Sequence, residues 1–381
     1  MMKQLVALAV FFAACTSGSS AIPTPGDRLE GVTTGQRAPT TNAPTSSTNS
    51  EDATVAPSPG RLGDFPEFPE GTLSATMTAS LQAVLDEAVE EGLIQGVTAA
   101  VIVGNSGSWS GAVGVDAEGN ALTPDTRLMT ASSGKTVTAA QVLRLVDEGK
   151  LGLDDLAADH LPPEIAFYDA NGASLREVLG MRSGIPDPPG YEALVDSGST
   201  PAELLEKIPG PLFPAGSQIA YENINYVLLG MIIEHVTGGS LWEALRSGVL
   251  DRPGLNGLMY LQKDALAADG WKIESDPASL ARWGYELYGG FVLSDTALSE
   301  MADFQGDWYG LGAIDLSQGT PGIPGGYGIP AIGHGGLGPS HSVMLVAFPE
   351  SPVVVAVQVA GVESTPRAAT LAGDLRNVAQ P

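Results

Sequence analysis

The sequence predicts an α/β fold in which strands from both ends of the chain form one sheet and an all-α lobe is inserted between them. Three observations lead to this prediction. A helix and two strands begin near residue 80, and two strands and a helix close the chain. The long region between them, roughly residues 130–290, has helical periodicity interrupted by Pro and Gly loops. A cleft between two such lobes is a common location for a ligand.

The first helix and the first hairpin follow from local patterns. Four apolar residues have the i, i+3, i+4, i+7 spacing of one face of an amphipathic helix: Leu81, Val84, Leu85 and Ala88. Residues 97–103 (VTAAVIV) and 108–115 then read as two strands on either side of a turn at residues 105–107.

The C-terminal elements mirror this arrangement. Residues 342–348 (SVMLVAF) and 353–361 (VVVAVQVAG) have the composition of buried strands, and the segment PESP joins them through a turn. Residues 365–378 have a helical pattern. The second hairpin and the last helix are therefore expected to complete the sheet domain that the first elements begin.

Composition limits the possible functions. The 381 residues include 44 acidic and 18 basic side chains, so the formal net charge is −26. A hydrophobic fraction of 43% supplies a sizeable core and excludes a wholly disordered acidic protein. The negative charge counts against nucleic acid as a partner. A single cysteine excludes an intramolecular disulfide framework and a Cys-rich metal site, and with only four histidines we expect neither a metal nor a cofactor.

The N-terminal residues have the features of an export signal. The apolar run at residues 5–14 is too short to span a bilayer but matches the core of a secretion signal. Small residues directly before Cys15 are typical of bacterial lipoprotein signals, so we expect Cys15 to be lipidated; an ordinary signal peptide with an incidental cysteine is the alternative. Residues 16–70, rich in Ser, Thr, Pro and Gly, are the predicted linker. Residues 71–381 are the predicted folded domain, located outside the cytoplasm as a membrane-anchored lipoprotein or a secreted protein.

Ser132 and Lys135 are the first candidates for covalent chemistry. At the start of a predicted helix, residues three apart lie one turn apart on the same face. The helix N-terminus favours an alkoxide and a developing oxyanion. A partly desolvated lysine can lose its proton near neutral pH and act as a base. By itself, however, S-x-x-K is a weak signal and is more often the pattern of a capping serine and a surface lysine.

Two later motifs strengthen the first one. The motif Y-E-N occupies residues 221–223 and H-G-G occupies residues 334–336. In an extended segment Tyr221 and Asn223 would point to the same side. A tyrosine beside Lys135 can relay a proton, and an asparagine amide offers a donor and an acceptor to a substrate. A glycine pair at a strand edge lets a substrate pair with the main chain.

Together, S-S-G-K at residues 132–135, Y-E-N at 221–223 and H-G-G at 334–336 resemble the three motifs of the serine β-lactamase and D-alanyl-D-alanine carboxypeptidase superfamily. The branch of this superfamily that the sequence resembles contains the class C β-lactamases, the DD-carboxypeptidases and related esterases. The resemblance covers about residues 75–365 and includes LREVLGMRSGIPD, LFPAGSQIAYENINYVLLGMIIEHVTG and WYGLG. It implies an antiparallel sheet flanked by helices, as in the β-lactamase and transpeptidase fold.

The resemblance also implies a role for each motif residue. Ser132 would be the acylated nucleophile, Lys135 its base partner and Tyr221 the proton shuttle. The main-chain N–H groups of Ser132 and Leu337 would form the oxyanion hole. The substrate-binding positions would be those of the second and third motifs and the residue that follows: Asn223, His334, Gly335, Gly336 and Leu337.

Two departures from the family pattern bear on the substrate. Gly335 stands where enzymes that bind a substrate carboxylate usually have Thr or Ser, so we expect neutral short-chain esters to be preferred to penicillins or D-Ala-D-Ala peptides. His334 would replace part of the lost interaction only when protonated. Glu222 in the middle of Y-E-N is either merely exposed or a residue that repels anionic substrates.

The functional prediction is an extracytoplasmic serine hydrolase that cleaves an ester or amide bond through a Ser132 acyl-enzyme. Its partners would be a small-molecule or peptidoglycan-derived substrate and the membrane that holds its lipid anchor. The alternative is a noncatalytic cell-surface protein that uses the penicillin-binding fold to bind a ligand.

Overall fold

A six-stranded antiparallel sheet built from both ends of the chain forms the centre of the fold. The computed structural model describes residues 62–260, 262–321, 323, 325–338, 340–361 and 366–380. The strands are β1 (Gly96–Val103), β2 (Gly107–Gly114), β3 (Leu128–Met129), β4 (Met259–Tyr260), β5 (Ile273–Ser275), β6 (Ile314–Asp315), β7 (Ile332–Gly338), β8 (His341–Phe348) and β9 (Val353–Ala360). The large sheet has the order β2-β1-β9-β8-β7-β6, so the early strand β1 lies beside the last strand. The predicted antiparallel sheet completed by both termini is confirmed.

Helices cover both faces of this sheet and form most of the inserted region. They are α1 (Ala75–Glu90), α2 (Lys135–Asp147), α3 (Leu175–Leu179), α4 (Tyr191–Asp196), α5 (Pro201–Leu205), α6 (Ile224–Thr237), α7 (Leu241–Ser247), α8 (Pro277–Tyr288), α9 (Asp295–Met301) and α10 (Pro366–Val378). Short 3-10 turns occupy Ala131–Gly134, Ala157–His160, Pro163–Ile165, Ala170–Gly172 and Ala265–Asp269. Within the described ranges, no helix is long and apolar enough to cross a membrane.

The core lies on both sides of the central strands. Every residue of β1, β8 and β9 is buried, which explains why these strands read as continuous apolar runs rather than as alternating patterns. Leu345 and Val354 face α8, because Gly284 of that helix lies directly against them. Phe348 points to the opposite face and packs against Arg376 of α10.

The inserted region is not purely helical, which corrects the prediction of an all-α lobe. Helices α2 and α6 pack together there, as the helical periodicity indicated. In addition, β3, β5 and β4 form a small antiparallel sheet in that order. Strands of two or three residues are too short to show an alternating pattern, so local sequence does not reveal them.

The folded domain begins earlier than the predicted linker boundary at residue 70. Phe65 is only 5% exposed, and its ring packs edge-on against Tyr285 with centroids 5.2 Å apart. The Tyr285 hydroxyl donates to the carbonyl of Pro66 at 2.9 Å, and Phe68 contacts the same ring. The predicted signal sequence with Cys15, and the predicted linker up to residue 61, lie outside the described residues.

Candidate active site

Ser132 and Lys135 lie where the 3-10 turn Ala131–Gly134 passes into α2. Lys135 Nζ donates a hydrogen bond to Ser132 Oγ at 3.0 Å, so the two side chains meet as the one-turn spacing predicts. Ala131, directly before Ser132, has a φ of +44°, a left-handed conformation that is unfavourable for a residue with a Cβ. Strain of this kind is often found at functional sites, and here it directly precedes Ser132 in the turn.

Lys135 is buried and fully hydrogen-bonded. The residue is 1% exposed, and its ammonium group has three acceptors, one for each N–H: Ser132 Oγ, Asn223 Oδ1 at 2.8 Å and the main-chain oxygen of Asp269 at 2.8 Å. Burial lowers the pKa of Lys135 to about 8, although the negative charges of Asp269 and Asp187 oppose this shift. A lysine with this pKa can lose its proton and act as a base near neutral pH.

Tyr221 lies beside Ser132 and Lys135. Its ring centroid lies 5.2 Å from Lys135 Nζ, and its buried hydroxyl interacts with the Ser132 side chain. Burial raises the pKa of Tyr221 well above its ordinary value, so the group is a neutral phenol at physiological pH. Trp308, from the WYGLG segment, stacks on this ring with centroids 6.3 Å apart. Ser132, Lys135 and Tyr221, predicted from three separate motifs, are therefore in mutual contact.

Asn223 reaches the same site by a different geometry from the predicted one. Its backbone is not extended: it has helical dihedral angles (φ −65°, ψ −31°) and is the N-cap residue of α6. Its Oδ1 faces Lys135, and its Nδ2 donates to Asp187 Oδ2 at 3.2 Å. The i, i+2 alternation of a strand is thus the wrong reason for a correct grouping of Tyr221 with Asn223.

The third motif lies on the edge of the large sheet beside the turn that contains Ser132. Strand β6 pairs only with Ile332 and Gly333, and no other described strand continues along that edge of β7. A Cβ on Gly336 would lie 2.7 Å from the Thr130 carbonyl oxygen and 3.1 Å from the Ser132 nitrogen. Only glycine permits this approach of β7 to the turn. Gly335 and Leu337 occupy the same stretch of strand edge on either side.

His334 lies beneath the site and does not line it. Its side chain is 1% exposed, Nδ1 is 2.6 Å from the Gly335 carbonyl oxygen and Nε2 is 3.2 Å from the Tyr309 hydroxyl. Since a carbonyl only accepts, Nδ1 carries the proton and the Tyr309 hydroxyl donates to Nε2. Burial, with a further contribution from the Lys135 charge, lowers the pKa of His334 to about 3. The expectation that a protonated His334 helps to bind a carboxylate near pH 6 is therefore wrong.

Glu222 is neither merely exposed nor free to point at a ligand. Its Oε2 accepts the main-chain N–H of Asp187 at 2.7 Å, and desolvation raises the pKa of the carboxyl to about 7. Sequence reasoning missed Asp187 itself, although the residue ends the quoted segment LREVLGMRSGIPD. It also missed Asp269, whose carbonyl binds Lys135. No motif marked either residue. Among the described residues, no group of three or more His, Cys, Asp and Glu side chains could hold a metal ion.

Comparison with known proteins places this arrangement in a family. The sequence profile of the family described as Beta-lactamase matches residues 81–380. Protein flp of Staphylococcus aureus (strain MW2) is 31% identical over 119 residues, which are 30% of this chain and 24% of that protein. Penicillin-binding protein 4 of Amycolatopsis lactamdurans is 33% identical over 156 residues, 39% of this chain and 40% of that protein. The matched region thus spans well under half of either relative.

Solved structures show the same fold. The D-amino acid amidase from Ochrobactrum anthropi SV3, complexed with L-phenylalanine amide, superimposes with a TM-score of 0.67 at 19% sequence identity. The match covers 79% of this chain and 98% of the amidase. Because the profile match covers most of the chain and the three motifs meet in one site, this protein belongs to the beta-lactamase family.

Proposed function

We propose that the protein is a serine hydrolase that cleaves an ester or amide bond through an acyl-enzyme formed on Ser132. The observation that carries this proposal is the 3.0 Å hydrogen bond between Lys135 Nζ and Ser132 Oγ in a buried position. A buried lysine with a lowered pKa has no evident structural purpose beside an otherwise ordinary serine, whereas a base partner of a nucleophile requires both features.

In the proposed mechanism, neutral Lys135 takes the proton of the Ser132 hydroxyl as Oγ attacks the substrate carbonyl. The main-chain N–H groups of Ser132 and Leu337 donate to the resulting oxyanion. The Tyr221 phenol passes a proton to the leaving alcohol or amine, and Lys135 replaces that proton. Water then attacks the acyl-enzyme by the reverse route, which releases the carboxylic acid and restores Ser132. Asn223 and the glycine edge of β7 would hold the substrate.

The substrates that fit best are neutral. Gly335 offers no hydroxyl to a substrate carboxylate, and the imidazole of His334 is uncharged and buried. The net charge of −26 acts against anionic ligands at longer range. Uncharged esters and amides are therefore proposed as the substrate class, and penicillins and D-Ala-D-Ala peptides as slow substrates.

We further propose that the enzyme works outside the cytoplasm, attached to a membrane through a lipid on Cys15. The support is the sequence alone: a short apolar run, small residues and then the single cysteine of the chain. The serine-, threonine- and proline-rich residues that follow would hold the domain away from the membrane surface.

The proposed mechanism is tested by covalent labelling. After incubation with a fluorophosphonate, mass spectrometry should find an adduct on the peptide that contains Ser132. The variant Ser132→Ala should lose the adduct and at least about 10⁴-fold of its esterase activity. Ser197→Ala, at an exposed position, is the control and should behave as wild type. Turnover by Ser132→Ala would contradict the proposed role of Ser132. No adduct with either a fluorophosphonate or a fluorescent penicillin would favour a noncatalytic binding protein.

A further inference from the structure

Asp187 holds a position that the proposed mechanism does not yet use. It follows the Ser-Gly-Ile-Pro segment between α3 and α4, far in sequence from the motif residues that it contacts. One carboxylate oxygen, Oδ1, accepts the main-chain N–H of Ile224 at 2.7 Å. The other, Oδ2, accepts Nδ2 of Asn223 at 3.2 Å. Its own main-chain N–H donates a hydrogen bond to Glu222 Oε2.

These two bonds place Asp187 at the N-terminus of α6 in the role that the N-cap residue usually has. Asn223 is the N-cap residue, but its side chain makes no capping bond to the helix. The carboxylate of Asp187 satisfies the first free N–H instead, from a different loop. A negative charge is also favourable at this end of a helix dipole. The side chain of Asn223 is thereby free to serve the catalytic lysine.

The orientation of the Asn223 amide depends on what faces each end of it. A carboxylate only accepts, so Nδ2 has to face Asp187 and Oδ1 has to face Lys135 Nζ. The reverse orientation would bring an amide donor against the lysine ammonium and an oxygen against a carboxylate. We propose that Asp187 is a positioning residue, whose carboxylate fixes the Asn223 amide so that its oxygen binds and orients Lys135 beside Ser132.

Charge provides a second link between Asp187 and Lys135. The groups that face the Lys135 ammonium are Asp187, Asp269, Tyr221, Tyr226 and His334. Of these, Asp187 and Asp269 raise the pKa of Lys135 against the larger effect of burial. Removing the Asp187 charge should therefore lower the pKa of Lys135 further. A residue that only stabilised the fold would not move this pKa.

The variant Asp187→Asn tests both effects at nearly constant shape. An amide has one acceptor oxygen where the carboxylate has two, so the substituted side chain can satisfy either Ile224 N–H or Asn223 Nδ2, but not both. Loss of a hydrogen bond to a charged group corresponds to about a 10- to 100-fold effect, and we expect kcat for p-nitrophenyl butyrate to fall by that factor. The acidic limb of the pH profile of kcat/KM should also move to lower pH, because neutral Lys135 becomes easier to form.

Glu222→Gln is the matched control. It removes a carboxyl group from a neighbouring position and keeps an acceptor for the Asp187 N–H, the group to which the Glu222 side chain bonds. The side chains that bond to each other in the site, Asn223 and Lys135, are left unchanged. We expect the acidic limb of this variant to stay in place. Equal kcat and an unshifted limb in Asp187→Asn, or the same shift in Glu222→Gln, would overturn the proposal.

A double variant provides a second test of the proposal if Asp187→Asn does not fold. In Asp187→Asn with Asn223→Asp, the new amide accepts from Ile224 N–H and donates to the new carboxylate, whose second oxygen accepts from Lys135. All three hydrogen bonds are kept, so the melting temperature should stay near that of the wild type. The negative charge is now in direct contact with Lys135, so the acidic limb of the kcat/KM profile should lie at higher pH than in the wild type. A limb at the wild-type pH or at lower pH would contradict the proposal.

This inference rests on the proposed function, and the two fail in different ways. If the wild-type protein forms no adduct on Ser132 with either a fluorophosphonate or a fluorescent penicillin, the proposed function fails. If the adduct forms but the Asp187 variants leave kcat and the pH limb unchanged, only the positioning role fails.

Discussion

The two basic groups nearest the reaction centre, Lys135 and His334, are both 1% exposed, but burial has different consequences for them. Burial lowers the pKa of Lys135, but the charges of Asp269 and Asp187 oppose this shift and leave the pKa at about 8. For His334, burial and the nearby Lys135 charge act in the same direction and outweigh the hydrogen bond to the Gly335 carbonyl, so its pKa falls to about 3. Of these two groups, only Lys135 changes its protonation state in the range where the enzyme would work.

The pH dependence of hydrolysis should follow Lys135. Since the lysine has to be neutral to take the Ser132 proton, kcat/KM for p-nitrophenyl butyrate should rise about tenfold per pH unit up to about pH 8 and then level off. Nitrocefin, an anionic substrate, should show the same limb and no gain towards pH 6, because His334 stays uncharged. Profiles from about pH 6 to about pH 9.5 check this. An increase for nitrocefin alone as the pH falls would mean that a protonated histidine binds the carboxylate after all.

Substrate class should depend on the side chain at position 335. Gly335→Thr adds a hydroxyl of the kind that binds a carboxylate, worth about 1.5–3 kcal/mol or roughly 10- to 100-fold. The ratio of kcat/KM for nitrocefin to that for p-nitrophenyl butyrate should rise by this factor. Gly335→Val has nearly the same shape without the hydroxyl and should leave the ratio unchanged. A wild-type enzyme that already hydrolyses nitrocefin rapidly would show that another residue binds the carboxylate.

At the scale of elements, the site is formed where β7 passes close to the turn that precedes α2. The Ser133 hydroxyl donates to the His334 carbonyl at 3.0 Å, so the turn and the strand are directly bonded. Gly336 lets their backbones approach, since its missing Cβ would meet the Thr130 carbonyl, the Ala131 side chain and the Ser132 nitrogen. The proposed oxyanion donors belong to these same two elements.

Gly336→Ala should therefore damage catalysis more than stability. The added Cβ would lie 2.7 Å from the Thr130 oxygen, and the atoms it meets are mostly backbone, which cannot move aside cheaply. Overpacking costs about 1–3 kcal/mol in unfolding free energy, whereas a displacement of about 1 Å at a reaction centre costs about 100-fold in rate. Gly71→Ala is the control, because its nearest atom would be 3.7 Å away. Wild-type kcat/KM in Gly336→Ala would show that the close approach is not needed.

At the scale of the whole molecule, the domain closes by pairing its first strand with its last. All eight residues of β1 pair with β9, from Gly96 opposite Ala360 to Val103 opposite Val353. Residues 65–70 pack outside this sheet on α8, through Phe65 and Phe68 against Tyr285. The predicted linker boundary at residue 70 thus lies after residues that pack on the folded domain.

Two truncations locate this boundary. A protein that starts at residue 61 should keep kcat/KM within about twofold, because a linker makes no contacts that the fold requires. A protein that starts at residue 71 loses Phe65, whose buried side chain is worth about 3–5 kcal/mol on deletion, so its melting temperature should fall by several degrees or more. Equal melting temperatures would mean that residues 65–70 belong to the linker.

Separately, Cys15→Ser should move the full-length protein from the detergent phase to the medium if Cys15 is lipidated.

Local patterns in the sequence determined the elements that have a clear period and the candidate residues for the chemistry. The i, i+3, i+4 spacing at Leu81–Ala88 predicted α1, and the apolar runs near the C-terminus predicted β8 and β9. The three motifs predicted that Ser132, Lys135 and Tyr221 would lie together, but not that His334 would be buried beneath them. These features are local, or are repeated in a known family, and so a single chain reveals them.

Tertiary structure alone decided what surrounds those side chains. Two of the three acceptors of Lys135 belong to residues 88 and 134 positions away, Asn223 and Asp269. The Y-E-N motif marked Asn223 but not its bond to Lys135, and no local pattern marked Asp269. The burial that leaves His334 uncharged, the helical conformation of Asn223 and the contact of Asp187 with α6 arise in the same way. The pKa of a group and the direction of an amide depend on neighbours in space, which the chain brings together only when it folds.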